Sequence, residues 1–185
     1  LLKKRQQLPL VLRILYNLTT EEKARTAIAK TEAPSALRKQ VIGCAEHQLP
    51  PELAALAINL ATNTRAAELM SDGGAMRQLL EKLYQTHDTL LLKFLRNLTQ
   101  HEAPALHACH FAADLFALVQ QVEGEEMLLE LLGLLANLRL RKLPDLPQQV
   151  SRYGLIEFLQ RHLVPGFTED DVLLEIIIIA GELAA

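Results

Sequence analysis

A phrase of aliphatic residues closed by Asn-Leu returns along this chain at nearly fixed intervals, and that period restricts the fold more than any other feature. It reads LRILYNL at Asn17, LAALAINL at Asn59, LLKFLRNL at Asn97 and LLGLLANL at Asn137, while IIIIAGEL puts Glu182 in the same place. The successive intervals are 42, 38, 40 and 45 residues. Repeats of this length are small units that cannot bury their own apolar faces, so copies stack around one continuous core.

Each interval divides into helices. After Asn59, the residues Thr64–Met70 read as a short helix and Asp72-Gly73-Gly74 as a turn. Ala75–Tyr84 follows as a second helix, with Met76, Leu79, Leu80 and Leu83 at helical spacing. Asp88 is placed to cap a third helix running to Leu98. The next interval predicts Ala105–His110, Ala112–Val122, a break at Gly124 and Glu125–Leu138. The last predicts a turn at Gly154, a helix over Leu155–Leu163, a break at Pro165-Gly166 and a helix from near Thr168. In the first interval the expected helices are Glu21–Lys30, Ala36–Glu46 and Pro51–Ala61. Three helices in about 40 residues define an armadillo repeat, whereas two would suggest HEAT and a period near 34 a tetratricopeptide. The expectation is therefore an all-α, right-handed superhelical solenoid. Residues 1–185 read as one armadillo domain cut at both ends, with repeat ends near 18, 60, 98, 138 and 183.

Composition narrows function. Half of the residues are hydrophobic, mostly Leu, Ala and Ile, and the net charge is −3 with no long run of one sign, which argues against a nucleic-acid partner. Cys44 and Cys109 form no CxxC pair or disulfide framework, so a reducing cytoplasmic setting is the default. The apolar stretch Val172–Ala185 is shorter than the ~20 residues of a membrane span and contains Glu175 and Glu182, so it reads as core.

In an armadillo array the third helix of each repeat lines the concave surface. Asn17, Asn59, Asn97 and Asn137 would then form an amide ladder able to hold the backbone of an extended peptide. The other reading is local: each Asn bonds within its own repeat and fixes the turn that follows. One helical turn earlier stand Arg13, Ala55, Lys93, Gly133 and Ile178, an uneven row. A nuclear-import receptor needs Trp there to clamp Lys stems, and this chain has none. Lys93, Arg96 and Asn97, with Gln100 and His101, make the most polar third-helix segment and suit an acidic ligand. The same group equally fits a solvated helix end.

The cluster His101, His107, Cys109 and His110 has metal-ligand residue types but lacks the paired spacing of a zinc site, so no metal or other cofactor is expected. Gly73-Gly74 lacks the pattern of a phosphate loop. Acidic pairs at Glu21, Glu125 and Asp170 fall at helix starts, where the helix dipole accounts for them. No catalytic constellation and no small-molecule substrate are indicated.

The segment from Ile58 to Pro104, together with LYNLTTEEKAR, LLGLLANL and YGLIEFLQRHLVPGFTEDDVLLEIIIIAG, resembles the kinesin-associated proteins over nearly the whole chain. The most specific pieces are RNLTQHEAP and the Pro-Gly, acidic triplet and aliphatic run at Pro165–Ile179. The resemblance departs at Asn17, where the family has His, and in the Ala-rich Leu53–Ala57. It implies a non-catalytic adaptor of heterotrimeric kinesin-2 that grips motor heavy-chain tails and links them to cargo in intraflagellar transport. Its setting would be the cytoplasm and cilium, on microtubules through the motor. The alternative is another armadillo adaptor, catenin-like or a signalling scaffold, with an extended peptide in its groove.

Overall fold

The computed structural model describes residues 8–163 and 168–184. Among them are thirteen α-helices, one 3₁₀ turn and no strand. The expected break at Pro165-Gly166 lies outside the described residues. The chain divides into two compact units, the first ending at Pro104 and the second beginning at Ala105.

The first unit holds α1 (Leu8–Thr19), α2 (Glu22–Ala29), α3 (Ala33–Ile42), α4 (Pro51–Ala61), α5 (Thr64–Ser71), α6 (Ala75–Thr86) and α7 (Thr89–Thr99). The Asn-Leu helices stack, α1 on α4 and α4 on α7. As the middle member, α4 buries residues on several sides, and Ala54, Ala57 and Ala61 are all 0% exposed. Their small side chains let both neighbours approach, which gives the Ala-rich stretch a packing role. In α7 the residues Leu91, Leu92, Phe94, Leu95 and Leu98 are all fully buried. Each such side chain contributes about 1.5–3 kcal/mol relative to exposure.

Local chemistry sets the boundaries. Asp88 caps α7, its Oδ1 accepting the N–H groups of Leu90 and Leu91 at 2.8 and 3.3 Å. Asn63 caps α5 by accepting the Ala66 N–H at 3.1 Å. Helix α6 runs two residues beyond the expected Tyr84, to Thr86, and the largest departure is at α3. Helix α3 begins at Ala33 and stops at Ile42, earlier at both ends than Ala36–Glu46. Pro34 is tolerated in the first turn, where no N–H partner is needed, and Gly43 closes the helix.

The second unit contains most of α8 (Glu102–Cys109), then α9 (Ala112–Val119), α10 (Glu125–Asn137), a 3₁₀ turn (Leu140–Lys142), α11 (Leu146–Arg152), α12 (Leu155–His162) and α13 (Asp170–Ala184). Helix α8 starts three residues before the expected Ala105, again with a proline, Pro104, inside its first turn. Helix α9 ends at Val119 rather than Val122. Helix α13 packs on α10 and α12. It buries Val172, Glu175, Ile176 and Ile179 but leaves Leu174, Ile177 and Ile178 42–59% exposed. The stretch read as core is therefore core on one side only. No helix among the described residues is long and apolar enough to cross a membrane.

Candidate functional site

The sequence-derived candidates fall on both units. Arg13 and Asn17 are exposed on α1, and Asn59 is half-buried on α4. On α7, Lys93 and Gln100 are exposed while Arg96 and Asn97 are half-buried. The spacing 93, 96, 97, 100 places these four on one helical face. His101 sits at the corner just beyond α7. Asn137, half-buried, is the last residue of α10 in the second unit.

The side chains of Asn59 and Asn97 bond across to the preceding repeat and not within their own. The Asn59 amide donates across to the preceding repeat, to Thr19 Oγ1 at 3.3 Å. That hydroxyl in turn donates to the Tyr16 carbonyl at 2.7 Å. The Asn97 amide donates to the Ile58 carbonyl at 3.2 Å, again one repeat back. These bonds tie stacked third helices together rather than closing the turn of the repeat that owns the Asn. Each amide has two N–H groups and an oxygen, so a tie of this kind uses one donor and leaves further capacity.

His101 works in the same way. Its Nε2 lies 2.8 Å from the Ala61 carbonyl, and its Nδ1 lies 3.2 Å from Thr64 Oγ1. A carbonyl only accepts, so Nε2 carries the proton, and in the neutral ring Nδ1 takes the threonine hydroxyl. The histidine thus clamps the corner between α4 and α5.

Of the histidine–cysteine cluster, His107 and His110 are exposed and Cys109 is buried. Burial pushes the Cys109 thiol above its ordinary value, partly countered by the Arg139 backbone N–H and by the charges of Lys142 and Arg139. Among the described residues no group of three or more His, Cys, Asp or Glu side chains is placed to hold a metal ion.

Several ties escaped sequence reading because they cross a whole repeat. Asp88 Oδ2 accepts the Leu49 N–H at 2.6 Å. Arg38 donates to the carbonyls of Leu69 and Asp72, both at 3.0 Å, covering the end of α5. Lys82 donates to the Cys44 carbonyl, holding the start of the α3–α4 loop against α6. Their signal is the period itself: these partners are 31 to 39 residues apart.

Stacked three-helix repeats with a polar row on the third helices define an armadillo-repeat protein. Three designed armadillo repeat proteins share this fold at TM-scores of 0.72 to 0.74, with 15–16% identity over 98–99% of this chain and 77–78% of theirs. One of them was solved in complex with the peptide (KR)4, and another was designed for modular peptide recognition. Over residues 1–185 the sequence matches the family described as Kinesin-associated protein (KAP), and the chain belongs to that family.

Proposed function

We propose that this chain is a non-catalytic adaptor segment of a heterotrimeric kinesin-2 motor. It binds extended tail segments of the motor heavy chains and links them to cargo in intraflagellar transport, in the cytoplasm and cilium. The observation that carries this reading is the family match across all 185 residues, in a family associated with kinesin. The polar face of α7 supports it, since Lys93 and Gln100 are exposed and Arg96 and Asn97 lie beside them. Cations and amides at this spacing suit a chain bearing carboxylates, with affinity set by a few anchors rather than by total area. Arg13, Asn17, Asn59 and His101 extend the candidate surface in the first unit, and Asn137 supplies the corresponding position in the second.

The test is capture by the immobilised chain from flagellar extract, read by mass spectrometry. Two different kinesin heavy chains in equal amounts support the reading. Other partners without kinesin would move the function to a general armadillo adaptor. The triple variant K93A/R96A/N97A, checked for helicity by circular dichroism, should lose capture, and wild-type capture by the folded variant removes this face from the proposal.

A further inference from the structure

The corners that follow the Asn-Leu helices differ in what their polar side chains do. After α1, Arg25 donates to the Thr19 and Thr20 carbonyls at 2.7 and 2.9 Å. After α4, Asn63 caps α5, and after α7, His101 clamps Ala61 and Thr64. At each of these corners a polar side chain closes the fold. After α10 the chain instead makes the 3₁₀ turn Leu140–Lys142 and presents Arg139, Arg141 and Lys142, three cations in four residues. Leu140 is 0% exposed and seats the turn, while all three cations are exposed.

Only Arg141 serves the fold directly. It donates to the Gly181 carbonyl at 3.2 Å and pairs with Glu182 at 3.4 Å. Arg139 and Lys142 enter no ion pair among the described residues. Yet their charges lie close enough to act on a common neighbour, Cys109, whose sulfur also accepts the Arg139 backbone N–H. The turn therefore gathers like charges on one side of the second unit. The negative end of α10 offsets part of their repulsion, and one carboxylate, Glu182, is already engaged by Arg141. In a chain of net charge −3, this is a local positive surplus fixed to a rigid, buried anchor. Of the two cations outside the Arg141–Glu182 pair, Arg139 suits a carboxylate through paired N–H donors, and the Lys142 ammonium adds a second positive charge beside it.

We infer that the turn Arg139–Lys142 is a docking point for an acidic stretch of an extended protein segment, with Arg139 and Lys142 as its anchors. The inference rests on the adaptor reading for the kind of partner, and names the partner's chemistry. Complementary charge at such a point acts on partner choice and encounter rate and weakens with salt.

The test uses fluorescein-labelled (Glu)8 peptide and the whole chain at low ionic strength, read by anisotropy. Wild type should bind, more weakly as salt rises. R139E/K142E should bind about tenfold or more weakly, the loss of about 1.4 kcal/mol or more. K23E/R65E, which changes net charge equally at exposed sites of the first unit, should stay within about twofold of wild type. Exposed substitutions of this kind leave the melting temperature near that of wild type, which is checked on the same samples. Wild-type affinity in R139E/K142E, equal losses in the two double variants, or no binding by wild type each overturns the inference. Heavy-chain capture without (Glu)8 binding strikes the anchor alone. Binding of (Glu)8 that depends on Arg139 and Lys142, without heavy-chain capture, upholds the anchor and strikes the adaptor reading.

Discussion

Asp88 and Leu49, 39 residues apart in sequence, are joined by a 2.6 Å hydrogen bond in which the leucine N–H donates to the aspartate. The same carboxylate caps α7, so one side chain, only 2% exposed, fixes both the start of a helix and the end of the loop before α4. Asp88→Ala leaves three buried or part-buried N–H groups without their acceptor and should cost about 2–4 kcal/mol. Asp88→Asn retains an acceptor oxygen and should cost less. Urea titration of the three proteins checks the order, and equal midpoints for D88A and wild type would refute the assigned role.

His87, immediately before it, is exposed and adopts φ 47° and ψ 38° at the end of α6. Left-handed backbone is costly for a side chain with a Cβ and free of that cost for glycine. Relief of about 1–2 kcal/mol of strain, less about 0.5–1 kcal/mol for the entropy of the unfolded glycine, should leave His87→Gly more stable by about 0.5–1 kcal/mol. Calorimetry should show a rise of a few degrees in melting temperature. A fall would mean that the His87 side chain contributes more than its strain removes.

Asn97 separates structural from binding roles. Its amide donates to the Ile58 carbonyl, so Asn97→Ala should destabilise by about 1 kcal/mol. Asn97→Asp should be worse, because a carboxylate cannot donate and faces a carbonyl oxygen. If the N97D melting temperature matches wild type, the inter-repeat tie contributes nothing and Asn97 is left to ligand binding alone.

The two thiols should react unequally. Cys44 is partly exposed, whereas Cys109 is buried with its thiol pushed upward by burial. At mildly alkaline pH a disulfide reagent should modify one thiol quickly and the second slowly. The raised group favours the neutral thiol in the folded state. Its stabilising contribution is thus complete below the ordinary thiol range near about 8.5 and is lost as pH rises above it. Cys109→Ala should flatten that alkaline loss in a urea series, and an unchanged slope would remove Cys109 as its source.

Secondary structure was largely legible because the period supplied the register and punctuation supplied the ends. Asp88 before α7, Gly74 before α6 and Gly124 before α10 stand where the helices start. The early starts of α3 and α8 share one cause: each carries a proline in its first turn, where the missing N–H would have had no partner. Side-chain ties were not legible. A period of about 40 residues says that His101 lies near Ala61, but not that the ring reaches its carbonyl rather than solvent. The basic turn after α10 escaped notice for a related reason, since ArgLeuArgLys is unremarkable until Leu140 is seen to be buried and the cations are left outside. The half-exposed α13 differs from its expected burial because hydropathy counts residues on all sides of a helix, whereas burial depends on which sides have neighbours.

The ties between repeats of the first unit also have a mechanical reading. Asn59 to Thr19 crosses from α4 to α1, whereas Asn97 to Ile58 and His101 to Ala61 both cross from the end of α7 to α4. A pull along that stack loads the two junctions in series, but at the α4–α7 junction two ties divide the load that a single tie carries between α1 and α4. Such an element stretches before it breaks, yielding at its weakest joint while the helices themselves remain intact.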